Sequence, residues 1–299
     1  MRDVEPVTIG ICAYNEERNI ENSIDSAFAQ EQKSFRIEEV IVVSSGSTDA
    51  TDDIVRGLTG KYPNLRLIVE EERRGKNSAI NLLLDSKSTD IVVLLNADNV
   101  LNDGDTLENL VSKLLTDSIP PVGIVGGRPI PTNDPNTPVG FATQMLWAMH
   151  HEVALVYPKI GELVAFKDIG TRLPLDSQSD EDILRMRLEE RGYVGAYAED
   201  AVVRNRGPET VSDFLKQRTR VNVGEVYMRK IHGYSIPTWN PRLLYNALLR
   251  TMKSLGVHPF RMAFTVVLEM VSRARAVNHV RRGMGDLNVW DQVGTTKKL

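Results

Sequence analysis

The chain has one cysteine in 299 residues, Cys12, so it can form neither an intrachain disulfide nor a cysteine-rich zinc site. It also has no run of about 20 uncharged apolar residues, which excludes an ordinary transmembrane helix. Its first ten residues lack the apolar core of a secretory signal. With only 14 prolines and 21 glycines, 41% hydrophobic and 25% charged residues, the composition excludes disordered, collagen-like and coiled-coil classes. A globular protein of a reducing compartment is predicted, with a cytoplasmic location.

Charge is distributed unevenly along the chain. Residues 1–202 carry 19 basic and 34 acidic side chains, a net charge of −15, whereas residues 203–299 carry 17 and 6, a net charge of +11. Two interpretations stay open. The basic segment either neutralises the acidic part or forms a solvated surface, or it meets an anionic partner such as a membrane surface, a nucleic acid or a phosphate-bearing substrate.

The first hundred residues alternate between strand and helix patterns. Four apolar runs of strand length lie at residues 7–12, 39–43, 66–69 and 91–95. Amphipathic helical patterns separate them, at residues 17–30, 49–58 and 77–84. Continuous apolar strands alternating with helices predict a mostly parallel sheet covered on both faces, with ligands bound beyond the carboxyl ends of its strands.

The pattern is less regular after residue 120, where prolines surround a short strand of sequence VGIVGG. We predict a helix over 139–157, a strand over 163–167, a helix ending near Glu190, a strand over 193–198 and a helix from about 210 to 232. Residues 241–283 predict two further amphipathic helices. Trp147 is predicted to be a core residue.

Polar loops follow three of the predicted strands: AYNEE at 13–17, SSGSTD at 44–49 and NADN at 96–99. A carboxylate such as Asp98, just beyond a buried strand, is well placed to hold Mg²⁺ or Mn²⁺ together with substrate phosphate oxygens. The tetrapeptide taken alone favours the simpler interpretation that Asp98 caps a turn, because turns rich in Asn and Asp are common.

Taken together with RRGKNSAIN at 73–81, DEDIL at 180–184 and QRTR at 217–220, these loops resemble in order and spacing the inverting glycosyltransferases of family 2. The resemblance covers residues 6 to about 222. It implies a GT-A α/β fold over residues 1–232, with a nucleotide-sugar half (1–120) and an acceptor and catalytic half (121–232). Residues 233–299 would form a basic helical extension.

The resemblance also implies roles for individual residues on the donor side. Those assigned to the nucleotide sugar are Ala13, Tyr14, Asn15, Glu16, Ser45, Lys76, Asn96, Ala97 and Asp98. Asp98 would also bind the cofactor, Mn²⁺ or Mg²⁺. Asn96 stands where the family has the first aspartate of D-x-D, and Ser44 and Ser45 also replace common aspartates.

On the acceptor side the resemblance makes Asp182 the general base, which takes a proton from the acceptor hydroxyl. The residues assigned to the acceptor or to phosphate are Glu181, Gln217, Arg218 and Arg220. Like-charged neighbours would raise the pKa of Asp182 toward a useful range. The acidic triplet 180–182 also suits the N-terminus of a helix, and both interpretations can hold together.

The expected partners are a nucleoside-diphosphate sugar and a saccharide or lipid-linked acceptor, with no nucleic acid. Residues 259–271, with arginines around them, predict either an interfacial helix at the inner face of a membrane or a helix packed on the catalytic domain. Two other functions stay open. The basic tail suits a polyprenyl-phosphate glycosyltransferase, and the replacements at Ser44, Ser45, Asn96 and Val221 suit an inactive nucleotide-binding homologue.

Overall fold

The fold was analysed in a computed structural model, which describes residues 4–175, 177, 179–234, 236–282 and 296. The strands are β1 (Glu5–Ala13), β2 (Phe35–Ser45), β3 (Leu65–Glu70), β4 (Ile91–Asn96), β5 (Val100–Leu101), β6 (Val122–Pro131), β7 (Leu163–Lys167) and β8 (Val194–Asn205). The α-helices are α1 (Ile20–Phe28), α2 (Thr51–Leu58), α3 (Lys76–Ser86), α4 (Thr106–Leu114), α5 (Pro138–Ala154), α6 (Asp180–Glu190), α7 (Val211–His232), α8 (Pro241–Leu255) and α9 (Pro259–Arg281).

The eight strands form one sheet in the order β3-β2-β1-β4-β7-β6-β8-β5. The first four run parallel to one another, and β6 runs parallel to β8. Strand β7 is antiparallel to both of its neighbours, and the two-residue β5 is antiparallel to β8. The mixed α/β class with a mostly parallel sheet is therefore confirmed.

Helices cover both faces of the sheet. Successive side chains of a strand point to opposite faces, so the strands contribute to a core on each side. Val7, Ile9 and Ile11 of β1 belong to the core that contains residues of α1, α2 and α4, whereas Ile41 and Val43 of β2 belong to the core beneath α3, α6 and α7. At Gly10 of β1 there is no room for a side chain, because an added Cβ would lie 2.1 Å from Leu83 of α3. The lack of a side chain there lets α3 press directly on β1.

The carboxyl ends of β1, β2 and β4 meet at one edge of the sheet. Ala13 is in register with Ser44, and Cys12 is in register with Asn96. The three polar loops after these strands are therefore neighbours in space. This is the arrangement that the alternation of strands and helices predicts.

Most of the predicted elements are present, with differences at a few places. Helix α4 and strand β5 were not predicted, and β8 continues to Asn205, beyond the predicted end at residue 198. The boundary predicted after residue 120 falls between α4 and β6, inside the continuous sheet.

The C-terminal helices pack on the rest of the chain. Helix α7 ends at His232 and is followed by the capping residue Gly233, whose φ of +64° is the left-handed conformation that favours glycine. Leu268 of α9 is buried among residues of α5 and α7. No helix in the part of the chain that the structure describes is both long and apolar enough to cross a bilayer. Residues 235, 283–295 and 297–299 of the predicted extension lie outside the described residues.

Candidate active site

The loop after β1 is hydrogen-bonded to the loop after β2. Asn15 has a φ of +52°, in the left-handed region where asparagine is one of the tolerated residues. Its Oδ1 accepts a hydrogen bond from the backbone N–H of Thr48 at 2.8 Å, and its own N–H donates to Ser47 Oγ at 3.1 Å. The preceding residue, Tyr14, stacks with the Arg73 guanidinium 4.0 Å from its ring centroid.

The end of β2 is tied to the segment that leads into α3. The Ser45 hydroxyl accepts a hydrogen bond from the backbone N–H of Arg74 at 3.2 Å. Gly46 has a φ of +68°, and a Cβ built on it would lie 2.5 Å from the nitrogen of Arg73. The two segments therefore meet backbone to backbone, in a place where a side chain would separate them.

The loop after β4 meets a carboxylate that the sequence patterns did not single out, Glu162. Its Oε2 accepts hydrogen bonds from Asn96 Nδ2 at 2.7 Å and from Asn99 Nδ2 at 3.0 Å. These two asparagines flank Asp98 in the chain. Burial raises the pKa of Asp98 to about 6, and the negative charge of Glu162 adds to the rise.

Helix α6 begins with the acidic triplet, and Lys76 at the start of α3 reaches it. Lys76 Nζ lies 2.6 Å from Asp180 Oδ2 and 3.4 Å from Glu181 Oε1. Although burial opposes its charge, the Lys76 ammonium holds the pKa of Asp180 below its usual value. Burial and then the charge of Asp180 raise the pKa of Glu181 to about 8.

The third acidic residue, Asp182, lies close to a separate ion pair. Burial raises its pKa to about 6; the Lys159 ammonium opposes this rise, and the Glu225 carboxylate adds to it. Lys159 Nζ lies 3.5 Å from Glu225 Oε1. Glu225 also accepts hydrogen bonds from Thr238 Oγ1 at 2.9 Å and from Trp239 Nε1 at 3.1 Å, which fixes the position of its carboxylate.

The two arginines of the QRTR segment differ in their partners. Arg218 forms a two-pronged ion pair with Glu269 of α9, with Nε–Oε2 at 2.9 Å and Nη2–Oε1 at 3.0 Å. Arg220 forms no ion pair with any described residue. Its positive charge partly opposes the rise in the pKa of Asp98. Of the two, Arg220 is therefore the one more available to a ligand.

These segments enclose a cavity of about 780 Å³. The predicted site residues that line it are Ala13, Tyr14, Glu16, Ser45, Lys76, Asn96, Ala97, Asp98, Glu181, Asp182, Gln217, Arg218 and Arg220. Asn15 is the exception, since its side chain supports the neighbouring loop instead. Lining residues that the sequence patterns missed include Lys159, Glu162 and Glu225, and Trp147 lines the cavity although it was predicted to be a core residue.

The carboxylates of Asp98 and Glu162 suit a hard divalent cation whose remaining ligands are water molecules and phosphate oxygens. No group of three or more His, Cys, Asp or Glu side chains suited to a metal occurs within the described part of the chain. Mg²⁺ and Mn²⁺ do not require such a cage, because one or two carboxylates and the phosphates of a substrate are their usual ligands. Asp98 and Glu162 supply two carboxylates to the same cavity.

Comparison with known proteins identifies relatives of the chain. Residues 8–166 match the family model described as Glycosyl transferase family 2. The chain is 33% identical over 92 residues to glycosyltransferase AglE of Haloferax volcanii, a match that covers 31% of this chain and 30% of AglE. It is 26% identical over 243 residues to poly-beta-1,6-N-acetyl-D-glucosamine synthase of Staphylococcus aureus, covering 76% of this chain and 57% of the synthase. The matches thus span less than two thirds of either relative.

The fold also matches solved structures. The mannosyltransferase PcManGT from Pyrobaculum calidifontis, solved in complex with GDP-Man and Mn²⁺, superposes with a TM-score of 0.64 at 24% identity. The match covers 94% of this chain and 90% of that protein. At this level of identity the likeness shows a shared GT-A fold.

Proposed function

Because this chain belongs to glycosyl transferase family 2, we propose that it transfers one sugar from a nucleoside-diphosphate donor to an acceptor hydroxyl, with inversion at the anomeric carbon. One observation carries this proposal. The donor-side loops after β1, β2 and β4 and the carboxylate of Asp182 border the same cavity, although more than 80 residues separate Asp98 from Asp182 in the chain. A donor held by those loops would lie within reach of a base on α6.

On the donor side, the loops that contain Tyr14 and Ser45 would contact the nucleoside, and Asn96 would hydrogen-bond the ribose. Lys76 lies between these loops and α6, where its ammonium can pair with anionic diphosphate oxygens. Asp98 would hold the divalent cation. When bound, such a cation acts as a Lewis acid and stabilises the departing diphosphate.

On the acceptor side, Asp182 would accept the proton of the attacking hydroxyl. The acceptor oxygen forms its bond to the anomeric carbon as the bond from that carbon to the diphosphate breaks. A pKa of about 6 leaves Asp182 ionised at neutral pH and makes it a stronger base than an ordinary aspartate. Glu181, Gln217 and Arg220 line the same cavity and would orient the acceptor.

The decisive experiment replaces Asp182 with asparagine. Because the amide cannot take the proton, transfer should fall by roughly 10²-fold or more. Nucleotide binding should be retained, measured as the thermal shift produced by UDP, GDP or dTDP with Mn²⁺ or Mg²⁺. The matched control is Asp200→Asn at an exposed position on β8, which should leave transfer unchanged. Full activity of Asp182→Asn would refute the assignment of the base.

Two further readouts come from the same preparations. Transfer by the unchanged protein should fall as the pH drops through about 6, because protonated Asp182 can no longer act as a base. Slow hydrolysis of donor sugars, tested across UDP-, GDP- and dTDP-sugars with Mn²⁺, separates an enzyme from an inactive nucleotide-binding homologue. A homologue that has lost catalysis would hydrolyse none of them.

We further infer that the acceptor is a saccharide or a lipid-linked saccharide, and that α9 associates with the inner face of a membrane. Phe260, Val267 and Met270 of α9 are exposed apolar side chains. Met270 also lines the cavity, so the apolar face of α9 reaches the cavity wall. An exposed apolar face with arginines beside it is typical of a helix that lies in a membrane interface.

A further inference from the structure

Glu162 has an unusual backbone conformation and directly precedes β7. Its φ of +61° is in the left-handed region, which is unfavourable for a residue with a long side chain. Residues held in such conformations cluster at functional sites, where the surrounding structure maintains them. The observation raises the question of what the Glu162 carboxylate does in the cavity that it lines.

Two asparagines hold this carboxylate beside Asp98. Both hydrogen bonds, from Asn96 Nδ2 and Asn99 Nδ2, go to Oε2. Within the described residues, Oε1 accepts no hydrogen bond from the protein and stays available for another partner. Asn99 is only 1% exposed, and its Oδ1 has no hydrogen-bond partner among the described residues. Glu162 and Asn99 thus each carry an oxygen atom that accepts no hydrogen bond from the described residues.

Because residue 96 is an asparagine, the loop at 96–99 has one carboxylate, that of Asp98. Family 2 enzymes commonly have an aspartate at this position, whereas the amide of Asn96 carries no charge. A hard divalent cation prefers anionic oxygen ligands, and the charge on those ligands strongly affects its affinity. Glu162 brings a negative charge to the same place, within hydrogen-bond distance of the Asn96 side chain.

We propose that Glu162 supplies the second carboxylate toward the divalent cation, in the place of the aspartate that Asn96 replaces. The inference rests on the proposed function only in that the cation is the one assigned to Asp98. It is specific to this chain, because it depends on the combination of an asparagine at position 96 and a glutamate at position 162.

The test is direct measurement of Mn²⁺ binding. Free Mn²⁺ is followed by its EPR signal during titration of the protein alone, and again with excess UDP or GDP. Glu162→Gln keeps an oxygen that can accept both asparagine hydrogen bonds and removes only the charge. It should weaken Mn²⁺ binding by roughly tenfold or more. Unchanged Mn²⁺ affinity in this variant would overturn the proposal.

A charge exchange sharpens the test. In the double variant Asn96→Asp with Glu162→Gln, the carboxylate and the amide trade places while the hydrogen bond between them is retained. Mn²⁺ affinity should return to within a few-fold of that of the unchanged protein. A double variant as weak as Glu162→Gln would show that Glu162 acts through its position rather than its charge, and would also overturn the proposal.

Two controls keep these outcomes interpretable. Glu108→Gln removes a carboxylate outside the cavity, where Glu108 accepts backbone hydrogen bonds from Lys33 and Ser34, and should not change Mn²⁺ binding. Thermal melting of each variant verifies that it folds. Because the EPR readout requires no sugar transfer, failure of the proposed reaction and failure of this inference give different results.

Discussion

The two walls of the cavity are built differently. The donor wall consists of loops at the ends of adjacent parallel strands, joined by short hydrogen bonds such as the one between Asn15 and Thr48. The opposite wall consists of helices held by ion pairs between distant segments: Arg218 and Glu269 are 51 residues apart, and Lys159 and Glu225 are 66 residues apart. The sheet determines the first wall, whereas the second depends on buried charges. The second wall should therefore be easier to disrupt by single substitutions.

Glu269→Gln is expected to have the largest effect on stability. Glu269 pairs with Arg218 and also with Arg273, at 3.0 Å, and is only partly accessible to water. Removing its charge leaves two guanidinium groups without their partner, which should lower the free energy of unfolding by roughly 3 kcal/mol. Urea unfolding measures this value. The exposed pair of Arg187 and Glu190 on α6 provides the control, since Glu190→Gln should change stability by less than about 1 kcal/mol.

The ion pairs of Glu269 with Arg218 and Arg273 also predict how the stability of the protein changes at acid pH. Although burial opposes its charge, the guanidinium groups of Arg218 and Arg273 lower the pKa of Glu269 to about 2. A carboxylate with a lowered pKa in the folded state contributes stability above its unfolded value of about 4.5 and loses it as the pH falls toward 2. Glu269→Gln should lose less stability than the unchanged protein over this range. If both proteins lose the same stability over this pH range, the lowered pKa of Glu269 is contradicted.

A smaller effect is expected at Asn15, on the donor wall. Asn15→Ala removes the hydrogen bond to the Thr48 N–H and puts alanine in a left-handed conformation, which together should cost about 1–2 kcal/mol of stability. Asn15→Asp keeps an acceptor and tolerates the conformation, so it should remain close to the unchanged protein. Urea unfolding and the thermal shift with nucleotide measure the two effects. Lost nucleotide binding at unchanged stability would instead make Asn15 a ligand contact, as the family resemblance implies.

The contrast between the walls also explains what could be predicted from the sequence. The strands that end at Ala13, Ser45 and Asn96 are continuous apolar runs, and parallel strands bring their ends together by geometry alone. Glu162 and Lys159 could not be found in this way, because long-range packing brings them to the cavity and no local motif marks them. Helix α4 is different: Leu107, Leu110, Val111 and Leu114 have helical spacing, so its signal was present and was missed.

The smallest effect concerns the outer face of α9, where the two interpretations of the sequence both have a counterpart in the structure. Met262, Leu268 and Ala276 of this helix are buried against the protein, whereas Phe260 is 90% exposed and Met270 is 65% exposed. One face of α9 therefore packs on the rest of the protein, whereas the exposed apolar side chains form a stripe that no described residue covers. Packing alone accounts for the first face and gives no reason for the second.

If that stripe lies in a membrane interface, the protein should co-sediment weakly with liposomes containing anionic lipid. Binding should fall as salt is added, because basic side chains near an anionic surface contribute about 1 kcal/mol each and their attraction is screened. Phe260→Ser with Met270→Ser should reduce binding, whereas Val257→Ser, at an exposed position just before α9, should not. Absence of co-sedimentation at low ionic strength would remove the membrane proposal. It would leave the cavity and its proposed chemistry untouched, because the donor-side residues and Asp182 lie on elements other than α9.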